Sequence, residues 1–136
     1  MTNADEKKPR LLATEDNKEE QKFLEFYLRR NFEVEIADSS EVFIKKYEEN
    51  DYDVLMFDIS IRGDETGIDL IKKVRSTEKG KDLPVVVHTA HAYLGEKRQS
   101  LEAGADLFLV KPVPRDELME NLLKIYEEKS KKTEQI

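Results

Sequence analysis

The chain should fold as a doubly wound α/β domain, a five-stranded parallel sheet with helices on both faces. Two observations point there. Short apolar runs alternate five times with amphipathic stretches, and each run is rich in branched or aromatic residues, as strands buried on both faces are. Strict β-α alternation then implies a parallel sheet, because each right-handed crossover carries a helix over one face.

Taken in order, the strands are expected at Leu11-Leu12-Ala13, Val34 to Ala37, Val54 to Phe57, Val85 to Thr89, and Leu107 to Val110. Between them the apolar spacing turns helical. Leu24 and Leu28 sit four apart, as do Phe43 and Tyr47, and Leu70 and Val74. Leu118, Leu122 and Ile125 mark the last helix. Asp38-Ser39-Ser40 and Glu65-Thr66 offer cap-type residues ahead of the second and third helices. Gly104 stands where the fourth should stop, as a C-terminal glycine does. With 136 residues, no internal repeat and no second composition zone, one domain is expected. Its span is 10–128, between a disordered segment over 1–9 and a polar tail over 129–136.

Composition removes several function classes. There is no cysteine, so no disulfide, thiolate zinc site or cysteine nucleophile. The net charge of −7 argues against direct nucleic-acid binding, which needs a clustered basic surface. Charged residues make up 39% of the chain, in mixed Lys/Glu runs that read as solvated helix faces. No apolar run resembles a signal peptide or approaches the roughly 20 residues of a membrane span. A cytoplasmic protein with no membrane partner is the expectation.

In open α/β sheets the ligand site lies beyond the carboxyl ends of the strands. Strand one ends in Glu15-Asp16, strand three in Asp58, strand four in Thr89-Ala90, and strand five in Lys111-Pro112. Strand two supplies only Asp38. On this fold, acids, a hydroxyl and an ammonium share one rim. Clustered acids repel unless a cation joins them, and oxygen ligands of this kind suit magnesium rather than zinc. A carboxylate can also act as nucleophile and form an acyl phosphate. A phosphoryl group in flight then needs a metal, a lysine and hydroxyl or amide donors around its oxygens.

Four pieces carry a specific resemblance. They are Leu11-Leu12-Ala13-Thr14-Glu15-Asp16-Asn17, Val54-Leu55-Met56-Phe57-Asp58-Ile59, Val85-Val86-Val87-His88-Thr89-Ala90-His91-Ala92, and Ala103-Gly104-Ala105-Asp106-Leu107-Phe108-Leu109-Val110-Lys111-Pro112. In this order, each at a strand end, they resemble the receiver domain of two-component response regulators over residues 10–128. The resemblance implies a flavodoxin-like (βα)5 sheet in strand order 2-1-3-4-5. It implies Asp58 as phosphoacceptor, and magnesium held by Glu15, Asp16, Asp58 and the backbone carbonyl of Ser60. Lys111 would pair with the phosphoryl group, and its bond to Pro112 would be cis. Thr89 and the Ala90 backbone N–H would contact phosphoryl oxygens. Thr89 and Phe108 would form the switch, and Ser60 and His91 would tune hydrolysis. The implied donor is a phosphohistidine on a histidine kinase or histidine phosphotransfer protein. It would dock around Lys18 to Lys22 and the loop after Lys111, with output through helix four, strand five and helix five.

Some residues depart from the family pattern. Glu15 stands where aspartate is commoner, Phe108 where tyrosine is frequent, and Arg62 where many receivers carry proline, in a loop to Gly67 one residue longer than usual. Pro114 replaces the usual cap before the last helix and suits a first turn. None removes an essential chemical group. His88, inside an apolar strand, reads as a core histidine, and Tyr93 and Leu94 as residues that packing or output contacts could use.

Three rival functions fit these residues less well. A pseudo-receiver that binds without phosphorylation usually loses one of Asp58, Thr89 and Lys111, and all three are present. A flavodoxin-type cofactor site needs a glycine- and hydroxyl-rich loop after strand one, where this chain has acids. A haloacid-type phosphatase needs a second aspartate two residues past the nucleophile, where this chain has Ser60.

Overall fold

The computed structural model describes residues 7–134. The apolar runs become β1 (Arg10–Thr14), β2 (Glu33–Ala37), β3 (Val54–Phe57), β4 (Val85–Thr89) and β5 (Leu107–Val110). The helices between and after them are α1 (Lys18–Leu28), α2 (Ser40–Glu49), α3 (Gly67–Arg75), α4 (Leu94–Ala103) and α5 (Arg115–Glu134). Among the described residues all strand pairs are parallel, and the order is β2-β1-β3-β4-β5, as expected.

Successive strand residues face opposite sides of a sheet, so two cores form. Leu12, Leu55, Phe57, Val85 and Val87 pack under α2 and α3 with Phe43, Tyr47, Leu70, Ile71 and Val74. Leu11, Ala13, Val54, Met56 and Val86 face α1 and α5, against Leu24, Leu28, Leu118 and Leu122. Each such side chain contributes about 1.5–3 kcal/mol by leaving water. β3 and β4 are buried along their whole length, which fixes their carboxyl ends firmly.

Local signals set the helix starts. Asn17 and Ser39 accept from Glu20 N at 2.9 Å and Val42 N at 3.1 Å. Thr66 and Asp69 form a reciprocal capping box. Gly104 ends α4 at φ +123, a conformation a side chain would strain. Pro114 sits one residue before α5, its carbonyl accepting from Leu118 N at 2.9 Å, so it caps the helix rather than entering its first turn.

The two ends add detail. The polar stretch 129–136 is helical as far as Glu134, with 135–136 outside the described residues. Residues 1–6 of the expected N-terminal segment also lie outside them, while Pro9 is tied to the fold by Glu33 N donating to its carbonyl at 2.9 Å. The longer loop after β3 is tethered: Ser40 N donates to the Arg62 carbonyl at 2.8 Å, in an isolated bridge between Ser39 and Arg62.

Candidate functional site

The carboxyl ends of β1, β3, β4 and β5 bring Glu15, Asp58, Thr89 and Lys111 together. Asp58 follows β3 directly and is only 8% exposed. Its backbone N–H donates to Thr14 Oγ1 at 2.9 Å, which pins the end of β3 to the end of β1. Gly67 backs the same segment, since a Cβ there would be driven into the Asp58 carbonyl. Both carboxylate oxygens of Asp58 have donors. Oδ1 accepts from the Thr89 hydroxyl at 2.7 Å and Ser60 N at 3.2 Å, and Oδ2 accepts from Lys111 Nζ at 2.8 Å. Charge-assisted bonds of this kind are the strong class.

Lys111 is the centre of charge. Its ammonium also donates to Glu15 Oε1 at 2.9 Å and to Glu20 Oε2. These three carboxylates raise its pKa against the opposing pull of burial. Burial first, then the Glu20 carboxylate, pushes Glu15 up to about 7, while Lys111 and the Asn17 N–H pull it back. The bond from Lys111 to Pro112 is cis, as expected.

The remaining expected residues fall at the rim with different exposure. Ser60 and His91 are exposed, and His91 N donates to Thr89 Oγ1 at 3.1 Å. Ala90 is exposed directly after the fully buried Thr89. Phe108 is half-buried and packs against the α2/α3 core, across from Val87 on β4. His88 is buried as expected, but it borders the site: burial and the Lys111 charge lower its pKa to about 4. Phe23 and Phe26 on α1, and Tyr93 at the start of α4, are exposed aromatics.

The acids do not form a ready cation cage. Among the described residues no three carboxylate or imidazole side chains gather closely enough for one, because Lys111 stands between Glu15 and Asp58. The donor chemistry nevertheless fits a hard cation. Asp16 is half-buried, and among the described residues its carboxylate has neither a hydrogen-bond nor an ion-pair partner. An uncompensated acid beside Glu15 and near Asp58 favours a cation that accepts oxygen ligands.

Sequence reasoning missed Glu20. It lies in a run, Lys18-Glu19-Glu20, that reads as solvated helix surface, and only the approach of α1 to β5 shows its partner.

Comparison with known proteins identifies the family. The model of the response regulator receiver domain matches residues 11–123. The chain belongs to the response regulator receiver family. Within it, the chain is 34% identical to chemotaxis protein CheY of Pseudomonas aeruginosa, over 67% of this chain and 73% of that protein. It is 29% identical to the sensor histidine kinase GacS of Pseudomonas protegens over 85% of this chain, which spans only 13% of that kinase. It covers 6% of a hybrid signal transduction histidine kinase of Dictyostelium discoideum, so the receiver is a small part of such relatives. A CheY-like receiver from Methanospirillum hungatei superposes with a TM-score of 0.85 at 26% identity, covering 92% of this chain and 98% of that one. The receiver domain of sensor histidine kinase PA1611 from P. aeruginosa, with a magnesium ion coordinated in its active-site cleft, gives 0.80 at 26% identity, covering 88% and 98%. Among the described residues, no helix is long and apolar enough to cross a membrane.

Proposed function

We propose that this receiver accepts a phosphoryl group on Asp58 from a phosphohistidine, in a magnesium-dependent reaction in the cytoplasm. The observation that carries the reading is the buried Asp58 carboxylate held at once by the Thr89 hydroxyl and the Lys111 ammonium. An Asp58 oxygen attacks phosphorus, the new O–P bond forms as the N–P bond breaks, and the electron pair leaves with the imidazole nitrogen of the donor. Asp16, Asp58, Glu15 and the Ser60 carbonyl would hold the metal, which neutralises phosphoryl charge when bound. Lys111 and Thr89 then move their donors from the carboxylate to phosphoryl oxygens, with the Ala90 N–H as a third donor. Water attacking phosphorus later restores the Asp58 carboxylate and releases phosphate; Ser60 and His91, exposed at the rim, tune that access.

The donor is a histidine kinase or histidine phosphotransfer protein that meets α1 and the loop after Lys111. Withdrawal of the Thr89 hydroxyl leaves room for the half-buried Phe108 ring, and the α4–β5–α5 face changes for a protein partner. The intact Asp58, Thr89 and Lys111 set disfavours a pseudo-receiver. Intact-mass measurement after incubation with magnesium and acetyl phosphate tests the reading. One added phosphoryl group is expected, absent in Asp58→Asn. No gain with any small donor or partner kinase would leave the pseudo-receiver.

A further inference from the structure

Glu20 belongs to the first turn of α1, and two bonds fix that turn against the end of β1. Asn17 Oδ1 accepts from Glu20 N at 2.9 Å, and Gln21 Nε2 donates to the Glu15 carbonyl at 2.6 Å. From this fixed base the Glu20 side chain reaches the Lys111 ammonium. An ammonium has three hydrogens, and Lys111 has three carboxylate partners, at Glu15, Asp58 and Glu20. Its donor capacity is filled. The hydrogen that Lys111 gives Asp58 can pass to a phosphoryl group there only if the ammonium shifts with it, and the bonds to Glu15 and Glu20 resist that shift. The Glu15 and Asp58 side chains are 4% and 11% exposed, but that of Glu20 is 44% exposed. Water can replace Lys111 at Glu20 far more readily than at either buried acid.

We propose that Glu20 is a positioning residue that retains Lys111 on the α1 side of the rim, so that its release governs how readily Lys111 reaches the phosphoryl group. The inference rests on the phosphoacceptor reading above. Glu20 touches no reacting atom and acts only through Lys111. It also lines a small groove with Phe23, His88, Pro112 and Val113. The exposed Phe23 ring therefore lies beside the residue that holds the site's ammonium.

The test compares wild type, Glu20→Gln and Glu20→Asp by the rate of mass gain with acetyl phosphate at saturating magnesium. Glu20→Gln keeps the shape and removes the charge; Glu20→Asp keeps the charge and loses the reach. Glu20 is half-buried and belongs to neither apolar core, so both substitutions leave the cores intact. Each variant should react about two- to fivefold faster than wild type, the worth of a partly exposed ion pair. Glu20→Asp reacting like wild type while Glu20→Gln is faster would show a charge effect without positioning and overturn the inference. Two variants both matching wild type would overturn it as well, with the phosphoacceptor reading intact. A wild-type chain that takes up no phosphoryl group overturns that reading and this inference together.

Discussion

Acidification should remove the stability that a neutral, buried His88 gives this receiver, and the effect can be sized. His88 is 8% exposed on β4, and its pKa is lowered to about 4 by burial and by Lys111, against opposing pulls from Glu20 and Asp58. An unfolded histidine titrates near 6.5, so between pH 6.5 and 4 the unfolded chain binds a proton that the fold refuses. Stability from this group is therefore full above about pH 6.5 and falls as pH drops through the window. At about 1.4 kcal/mol per pH unit, the loss reaches about 2.5 kcal/mol by pH 4.5. Glu15 acts with the opposite sign. Its pKa is raised to about 7, so its penalty is present at high pH and relieved as pH falls toward 4.5. The assay must separate the two. Urea unfolding of wild type and His88→Gln, with EDTA present, at pH 7, 6, 5 and 4.5 does so, because the Glu15 contribution cancels in the difference. The wild-type advantage should shrink by about 2.5 kcal/mol across the series. Parallel curves for the two proteins would refute the argument, since they would place His88 in contact with water or leave it charged in the fold.

Three further outcomes follow from the geometry. Thr89→Val removes the donor to Asp58 Oδ1 with little change of shape; phosphoryl uptake from acetyl phosphate should slow on the order of a hundredfold, while urea unfolding shows a loss of only about 1 kcal/mol. Gly67→Ala drives a Cβ into the Asp58 carbonyl, so stability should fall by about 2 kcal/mol or more in urea unfolding, and phosphoryl uptake should fall with it. Arg75→Ala strips donors from the carbonyls of Gly80, Leu83 and Gly104 and from Asp106, and should cost about 3 kcal/mol in the same unfolding assay. Its phosphorylation rate, measured well below the unfolding midpoint, should stay near wild type.

What could be read from the sequence was whatever is encoded locally. The strand runs of β3 and β4 are apolar at every position because both faces are covered, and the caps Ser39, Thr66 and Gly104 announce themselves by type. Once five strand ends were placed, Asp58, Thr89 and Lys111 fell on one rim by topology alone. Other features depend on reach between distant elements, and no local pattern carries that. Glu20 is one of many acids on helix surfaces until α1 is set beside β5. Arg75 reads as an ordinary last-turn cation, yet it ties the end of α3 to the loop before β4 and to the turn before β5. That α5 runs on to Glu134 was not legible, because a polar helix and a polar tail share one composition over residues 129–134.

The bond from the Asp58 N–H to Thr14 Oγ1 divides the rim mechanically. It fastens the acceptor to the residue just before Glu15, so the acids of β1 and β3 form one stiff block whose spacing a phosphoryl group cannot readily alter. Beyond the last paired residues of β3 and β4, Phe57 and Val87, Thr89 and Lys111 reach that block through their side chains. Adjustment therefore falls to the Thr89 and Lys111 side chains rather than to the acids. If Asp58 is phosphorylated as proposed, the strain would be taken up on the side of Thr89 and Lys111, toward α4 and α5, and that asymmetry would set the path of the message.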